Sequence, residues 1–162
     1  MIIKGYKAIN NDCTNRYGFK LEVGKTYFKD GEIKFGNHGN GYHMCLNIED
    51  TLRYFDFFNE NCQICEVEGS GKIVEFEDTY NDYYDMYVVS NIKITKILTR
   101  EEVLNIVLSM TDERDVKRFI SGYKLNEYEL GLIAERWHNN IDVLKYIDYY
   151  QFDCKDAFCK TL

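Results

Sequence analysis

The sequence lacks several features that would assign it to a particular class of protein. It has no proline, three histidines, and no run of about 18 or more apolar residues, so no segment is expected to span a membrane. Its first residues show neither the apolar core nor the cleavage site of a secretion signal, and we expect a cytoplasmic protein. The net charge of −7 argues against general nucleic-acid binding, because such binding rests on Lys and Arg.

Motifs for nucleophilic catalysis, phosphate binding and metal binding are also missing. No histidine lies beside a Ser or Cys in a recognisable nucleophile motif, and no helix with Lys-Ser/Thr follows the glycine-rich segment 36–41. The single CxxC, Cys62 to Cys65, opens a segment typical of a strand rather than a zinc knuckle. We therefore predict reduced cysteines, no metal and no cofactor.

The patterns that are present divide the chain near residue 98. Its 162 residues suit one domain with or without an appendage, and its 14 tyrosines and 10 phenylalanines argue against disorder. In the first part, apolar residues alternate with charged ones over 19–23, and 86–98 is a long β-prone run. These patterns are typical of strands in an antiparallel sheet.

Shorter strands are predicted at 2–8, 26–28, 32–35 and 42–46, and two more strands and one helix follow in the first part. The segments 62–67 and 72–76 are predicted strands, joined by a turn through Gly69-Ser70-Gly71. Asn47 is a predicted N-cap. The predicted buried stripe of the helix that follows consists of Leu52, Phe55 and Phe58.

At Thr99 the apolar period changes from two to 3.6. Thr99 and Glu102 form a capping-box pattern, and residues 103–125 match the sequence 27 positions further on. The matched pairs include Val103 with Leu130, Ile106 with Ile133, Val116 with Val143, Phe119 with Tyr146, and Ile120 with Ile147. Each unit is a predicted helical hairpin, and Phe152 begins a partial third unit. Two unrelated pairs of amphipathic helices are the alternative.

We therefore predict an α+β protein in two parts. Residues 1–98 form an antiparallel sheet with one helix, and residues 99–162 form a helical-hairpin repeat region. The second repeat, 129–147, resembles a degenerate ankyrin repeat in which Trp137-His138-Asn139 replaces the glycine turn. Ankyrin-type stacks are binding scaffolds, so this resemblance implies interaction rather than catalysis.

Residues 4–98 resemble a family of uncharacterised proteins encoded by phages and prophages of low-GC bacteria. The residues that carry this resemblance are Lys4–Ala8, Gly18–Phe19, Glu22–Tyr27, Gly41–Cys45, Tyr54, Glu66–Gly69 and Ile92–Ile94. The family usually has a Cys ahead of its Gly-aromatic-His-x-Cys element, where this sequence has Phe35-Gly36-Asn37-His38. The resemblance implies a viral protein that acts in the cytoplasm of a host cell.

The favoured hypothesis is a small acidic phage protein that binds a host protein, as an inhibitor of a defence system does (an anti-CRISPR-like role). Segment 75–85 contains five carboxylates, four aromatic residues and no base. It would present charge and aromatic anchors to the basic channel of a nucleic-acid-binding effector. The predicted partner-binding residues are Glu75, Glu77, Asp78, Tyr80, Asp82, Tyr83, Tyr84 and Asp85. No direct nucleic-acid or membrane partner is expected, and a solvated acidic loop is the structural alternative.

The alternative hypothesis is an enzyme of ADP-ribosyltransferase-like fold that uses NAD. The order of its strands and short helix is similar to that fold. The resemblance implies a cleft lined by Tyr6, His43, Tyr54 and a late acid, Glu66 or Glu68. In that cleft His43 would orient a ribose and the acid would hold its 2′-hydroxyl. The sequence favours binding over catalysis and leaves enzyme activity open.

Overall fold

The chain forms two compact units, and its α+β class is confirmed. The residues that the computed structural model describes are 1–36, 39–58, 61–76 and 86–153. The two units comprise Met1–Phe55 with Asn61–Leu98, and Asp56–Glu60 with Thr99–Leu162. The first unit is built on an antiparallel sheet and the second on helices. Within the described ranges, no helix combines the length and the apolar character needed to cross a bilayer.

Four strands of the first unit close into a ring. The five strands are β1 (Ile2–Asn10), β2 (Thr26–Phe28), β3 (Tyr42–Cys45), β4 (Cys62–Glu75) and β5 (Met86–Ile97). Strand β1 pairs with β4, β4 with β5, β5 with β3 and β3 with β1, all antiparallel, and β2 adds a short segment to β5. Closure lets the backbone of each of these four strands pair with two neighbours.

One face of the ring forms the apolar core. Its buried members are Ile9, Leu21, Tyr42, Met44, Cys65, Val67, Val89, Ile92 and Ile94. Residues directly opposite each other on paired strands share a face. Strand alternation therefore assigns every second residue of β1 and β4 to the core.

Strand β4 corrects the prediction of two strands joined by a glycine turn. Residues 62–75 form a single strand of 14 residues that runs through the three predicted turn positions. The register with β5 shifts between Ser70 and Ile73, and Gly71 has φ 79°. A Cβ on Gly69 would lie 2.5 Å from the Met44 Sδ atom. The glycines therefore provide a bulge and a close approach in the core rather than a turn.

The alternation at 19–23 also misled the sequence prediction. Leu21 is fully buried, but Phe19 is 47% exposed and Val23 is 51% exposed. The segment forms only an isolated bridge, Thr14 with Lys20, instead of a strand. The Asn15 side chain accepts bonds from the backbone N–H groups of residues 17 and 19, which holds the chain in a turn.

The predicted helix after Asn47 is a short 3₁₀ helix, Ile48–Arg53. The Asn47 side chain donates to the Asp50 carboxylate (3.4 Å) instead of capping the backbone. The buried residues of this helix are Ile48, Glu49, Asp50 and Thr51. The predicted stripe of Leu52, Phe55 and Phe58 is only partly buried, because the helix ends at Arg53 and the two phenylalanines lie beyond it.

Four α-helices form the described part of the second unit, and the first and second helices each pack against the helix that lies one repeat further along the chain. They are α1 (Arg100–Leu108), α2 (Glu113–Gly122), α3 (Glu127–Arg136) and α4 (Ile141–Ile147), followed by a π-helical segment, Asp148–Asp153. Helix α1 contacts α3, and α2 contacts α4. The N-cap side chains of the four helices, Thr99, Asp112, Asn126 and Asn140, each accept a backbone N–H bond.

Residues 27 positions apart occupy equivalent buried places in the two helix pairs. Val116 and Val143 are both fully buried, and the Asn140 side chain donates to the Glu113 carboxylate, its counterpart in position. The helical hairpins follow the predicted spacing, whereas their ankyrin-like character stays a prediction. The predicted third unit begins at Phe152, and its residues 154–162 lie outside the described residues.

Candidate functional site

A cavity of about 640 Å³ lies in the first unit, where β1 and β3 separate. The two strands share a single residue pair, Tyr6 with Cys45. Beyond this pair the Lys7 ammonium, rather than a β1 backbone group, donates to the His43 carbonyl oxygen at 2.7 Å. The side chain thereby supplies a bond beside the short ladder, and residues of both strands line the cavity together with residues of the neighbouring loops.

The cavity wall combines cations with aromatic rings. Its cationic side chains are Lys7, Arg16 and Lys29, and none of the described residues that line it is Asp or Glu. Its aromatic residues, apart from His43, are Tyr6, Tyr17, Phe19, Phe35, Tyr42, Tyr54, Phe55 and Phe76. The Lys29 Nζ atom lies 5.8 Å from the centre of the Tyr42 ring. The site is therefore locally cationic in a chain of net charge −7.

His43 belongs to an aromatic group that lines this wall. Its ring meets Phe35 edge to face at 5.6 Å, and Phe35 packs on Phe76 at 4.9 Å. Burial lowers the pKa of His43 to about 4, and the nearby Lys7 charge acts in the same direction. At neutral pH the imidazole is uncharged, so it can both donate and accept a hydrogen bond.

Two tyrosines complete the polar wall. Burial raises the pKa of Tyr54 to about 12, with the Cys45 thiol adding to the effect and the charges of Arg53 and Arg16 opposing it. The Tyr54 hydroxyl donates to the Met86 sulfur at 2.6 Å. Burial also raises the pKa of Tyr6, so both hydroxyls keep their protons at neutral pH.

Residues 3–106 match a family described as a domain of unknown function, DUF7666. The chain belongs to this family. Its DUF7666 region contains every described residue that lines the cavity and extends into α1. No match was found among curated proteins or among solved structures.

The fold of the DUF7666 region brings together three of the five residues predicted for an NAD cleft. Tyr6, His43 and Tyr54 all line the cavity. Glu66 and Glu68 do not line it, because both lie on β4, across the ladder from Tyr6 and Lys4 respectively. The Glu66 charge nevertheless contributes to the raised pKa of Tyr6. Neither of the predicted late acids is therefore part of the cavity wall.

The predicted partner-binding segment of the DUF7666 region falls almost wholly outside the described residues. Glu75 is the last residue of β4, and its side chain is exposed. The other predicted positions, Glu77, Asp78, Tyr80, Asp82, Tyr83, Tyr84 and Asp85, are not described. The segment stays a prediction.

Sequence reasoning missed all three cations of the cavity. A signal for Lys7 was present, since it interrupts the apolar positions Ile3 and Ile9 on one face of β1. Lys7 lies directly across from Cys65, which belongs to the core. Arg16 and Lys29 had no comparable signal, because they come from separate loops and converge only through tertiary structure.

The cysteines of the described DUF7666 region carry thiols and form no disulfides. They are Cys13, Cys45, Cys62 and Cys65. Burial raises the pKa of Cys65 to about 12, so its thiol is protonated at neutral pH and is a poor nucleophile. No group of three or more His, Cys, Asp or Glu side chains among the described residues is placed to hold a metal ion.

Proposed function

We propose that the DUF7666 region binds a small anionic molecule that carries an aromatic ring, the chemistry of a nucleotide. The observation that carries this proposal is the cavity wall, which has three cations, a cluster of aromatic rings and no carboxylate among its described residues. A volume of about 640 Å³ lies within the usual range for small-molecule sites. The chain has a net charge of −7, so most of its surface repels anions. The cationic wall would therefore direct an anionic ligand to the cavity.

Each part of such a ligand has matching groups. Arg16 and Lys29 are exposed at the cavity and would pair with a phosphate. Hydrogen bonds between charged donors and a phosphate are stronger than those between neutral groups. The ring would pack against Phe35 and Tyr42, as aromatic groups stack on one another. The uncharged His43 and the protonated Tyr54 supply hydrogen bonds to a sugar hydroxyl.

Titration of the full chain with ADP, followed by calorimetry, tests the proposal. Replacing Arg16 or Lys29 by Gln is expected to weaken binding roughly tenfold each, since each loses a charge-assisted hydrogen bond. Lys25→Gln is the matched control, because Lys25 is an exposed lysine of the same unit that does not line the cavity. Adenosine should bind more weakly than ADP. Absence of ADP binding at about 1 mM ligand would overturn the proposal.

A second candidate function is cleavage of NAD, which the meeting of Tyr6, His43 and Tyr54 on one wall favours. NAD contains both an anionic pyrophosphate and aromatic rings, so it fits the same chemistry. Incubation with labelled NAD and host lysate tests this candidate. Release of nicotinamide or transfer of label that is lost in His43→Phe supports it, and intact NAD with unlabelled protein rejects it.

The proposal that the chain is a phage inhibitor of a host defence protein rests on the sequence of segment 75–85. Capture of a partner from a host lysate tests it, with Glu77, Asp78, Asp82 and Asp85 changed to Ser for comparison. Loss of the partner in this variant supports a charged docking segment. Retention of the partner shows that the carboxylates are dispensable.

A further inference from the structure

The Lys7 side chain takes no part in the phosphate contacts proposed above, yet it is the most enclosed cation of the cavity. It is partly buried, whereas Arg16 and Lys29 are exposed. Its Cα is paired with that of Cys65, a core residue on the neighbouring strand β4, and its Nζ atom lies 2.7 Å from the His43 carbonyl oxygen. A backbone acceptor therefore holds the amine at the cavity wall, between the core and the opening.

We propose that Lys7 is a carbonyl-reactive amine, which forms an imine with an aldehyde or ketone that carries an anionic group. The proposal rests on the proposed function, because Arg16 and Lys29 would hold the anionic group of that ligand. The cavity residues Phe35 and Tyr42 suit a ligand in which the carbonyl is attached to an aromatic ring. A phosphorylated aromatic aldehyde combines all three features.

The surroundings of Lys7 increase the fraction of neutral amine, which is the reactive form. Burial lowers the pKa of Lys7, and the Cys65 and Cys45 thiols oppose this shift to a smaller extent. The ring of His43, which is also close to Lys7, is uncharged at neutral pH. The bond to the His43 carbonyl uses one N–H group and leaves the lone pair of a neutral amine available.

The chemical step is balanced without an oxidant or a reductant. The Lys7 nitrogen attacks the carbonyl carbon, and one of its protons passes to the oxygen to give a carbinolamine. The C–O bond then breaks, and the oxygen leaves as water with the second nitrogen proton. The product is a C=N double bond between Lys7 and the ligand, and water is the only other product.

Reductive trapping of the full chain with pyridoxal 5′-phosphate and sodium borohydride tests the proposal. The borohydride reduces the imine to a stable amine, which peptide mass spectrometry locates. At pH 7 we expect at least about tenfold more adduct at Lys7 than at the exposed Lys4 of the same strand, because burial lowers the pKa of Lys7 and increases its share of neutral amine. Lys4→Arg should retain the Lys7 adduct.

The variant Lys7→Arg keeps a cationic donor for the His43 carbonyl and cannot form an imine. Its thermal unfolding midpoint shows whether the unit remains folded. If Lys7→Arg is folded and lacks the adduct, the proposal stands. If Lys7 is no more labelled than Lys4, the proposal fails. The chain unfolded in urea is the control, because it gives the reactivity of both lysines without the folded structure.

Two further probes separate this proposal from the proposed function. Propanal has a carbonyl but neither a ring nor an anionic group. Equal labelling of Lys7 by propanal and by pyridoxal 5′-phosphate would support the reactive amine and reject the anion site. Competition between pyridoxal 5′-phosphate and ADP without an adduct at Lys7 would support the anion site and reject the reactive amine.

Discussion

The sheet unit and the helical unit of this protein are built from contacts of different range. In the sheet unit, Ile2 pairs with Ser70 and Cys65 with Ile97, and four strands must meet to close the ring. In the helical unit, each helix contacts another that lies one repeat along the chain. The cavity belongs to the sheet unit because the ring closes weakly at one place, the single pair between β1 and β3.

This difference also affects where polar groups are buried. The sheet unit places a cation, Lys7, and an uncharged histidine, His43, at its seam, next to open space. The helical unit instead uses a polar side chain to complete its packing. Gln151 is 1% exposed, donates to the carbonyl oxygens of Ile120 and Tyr123, and accepts from the Leu125 N–H. The polar residues of the sheet unit, Lys7 and His43, thus line a cavity, whereas Gln151 of the helical unit makes structural hydrogen bonds.

The largest effect is expected for Gln151→Leu, which breaks the helical unit. Leucine has a similar volume, so the variant removes three hydrogen bonds from buried backbone groups with little change in packing. We expect a loss of about 3 kcal/mol in the free energy of unfolding. Denaturant unfolding monitored by circular dichroism measures it, with the exposed Tyr128→Ala as the control. A variant as stable as the native chain would mean that these bonds contribute nothing.

The bulge in β4 gives the next largest effect and tests closure of the sheet unit. Gly71→Ala would force a Cβ to within 2.2 Å of the Ser90 Oγ atom at φ 79°, and we expect a loss of about 2 kcal/mol. Gly18→Ala is the matched control, since it has φ 83° and nothing within 4 Å of the added Cβ. It should lose only about 1 kcal/mol, the cost of the left-handed backbone. Equal losses would show that the contact with Ser90 is unimportant.

A smaller effect is expected from the titration of His43. Its folded pKa, about 4, lies below the value of about 6.5 for an exposed histidine, so the unfolded chain binds the proton first as the pH falls. Above pH 6.5 the protonation of His43 does not affect the free energy of unfolding. As the pH falls from 6.5 to about 4, the free energy of unfolding decreases. Allowing for solvent screening, the loss is about 1.5 kcal/mol.

The measurement is the difference in unfolding free energy between the native chain and His43→Gln across this range of pH. Glutamine carries no charge at any pH. The difference in unfolding free energy therefore reports the titration of His43 alone, because carboxylates that titrate in the same pH range contribute equally to both proteins. A constant difference from pH 7 to pH 4 would contradict the assignment of a buried, uncharged imidazole to the sheet unit.

The smallest effect is a gain in the helical unit. Gly131 lies within α3, and an added Cβ would meet nothing within 4 Å. Gly131→Ala should therefore raise the free energy of unfolding by about 0.7 kcal/mol, because alanine loses less backbone entropy in a helix. Thermal unfolding is sensitive enough to detect it. A destabilised variant would show that this face of α3 is covered in the folded chain.

The helical unit was predictable from sequence because its signals are local. The Thr99 hydroxyl accepts from the Glu102 N–H, as the capping pattern predicted, and residues 27 apart are buried in pairs. The sheet unit was predictable in class but not in detail. The glycines at 69–71 indicate a turn from neighbouring residues alone, and only the pairing of β4 with both β1 and β5 makes them part of one strand.

The candidate site was predictable only in part, for the same physical reason. Tyr6, His43 and Tyr54 were named from a resemblance in element order, and they meet on one wall. The two predicted acids, Glu66 and Glu68, do not line the cavity, because they lie on β4 and no residue of β4 is among its described lining residues. The cations of the wall come from positions far apart in the chain, and no local pattern joins them.

The amino-acid sequence by itself determined the α+β class, the change of period near Thr99 and the spacing of the helix pairs, because capping and periodicity act over a few residues. Tertiary structure alone decided that four strands close into a ring and that the ring has a seam at β1 and β3. It also decided that Lys7, Arg16 and Lys29 face one cavity. Strand pairing is non-local, so the neighbours of a β residue are set only when the whole sheet assembles.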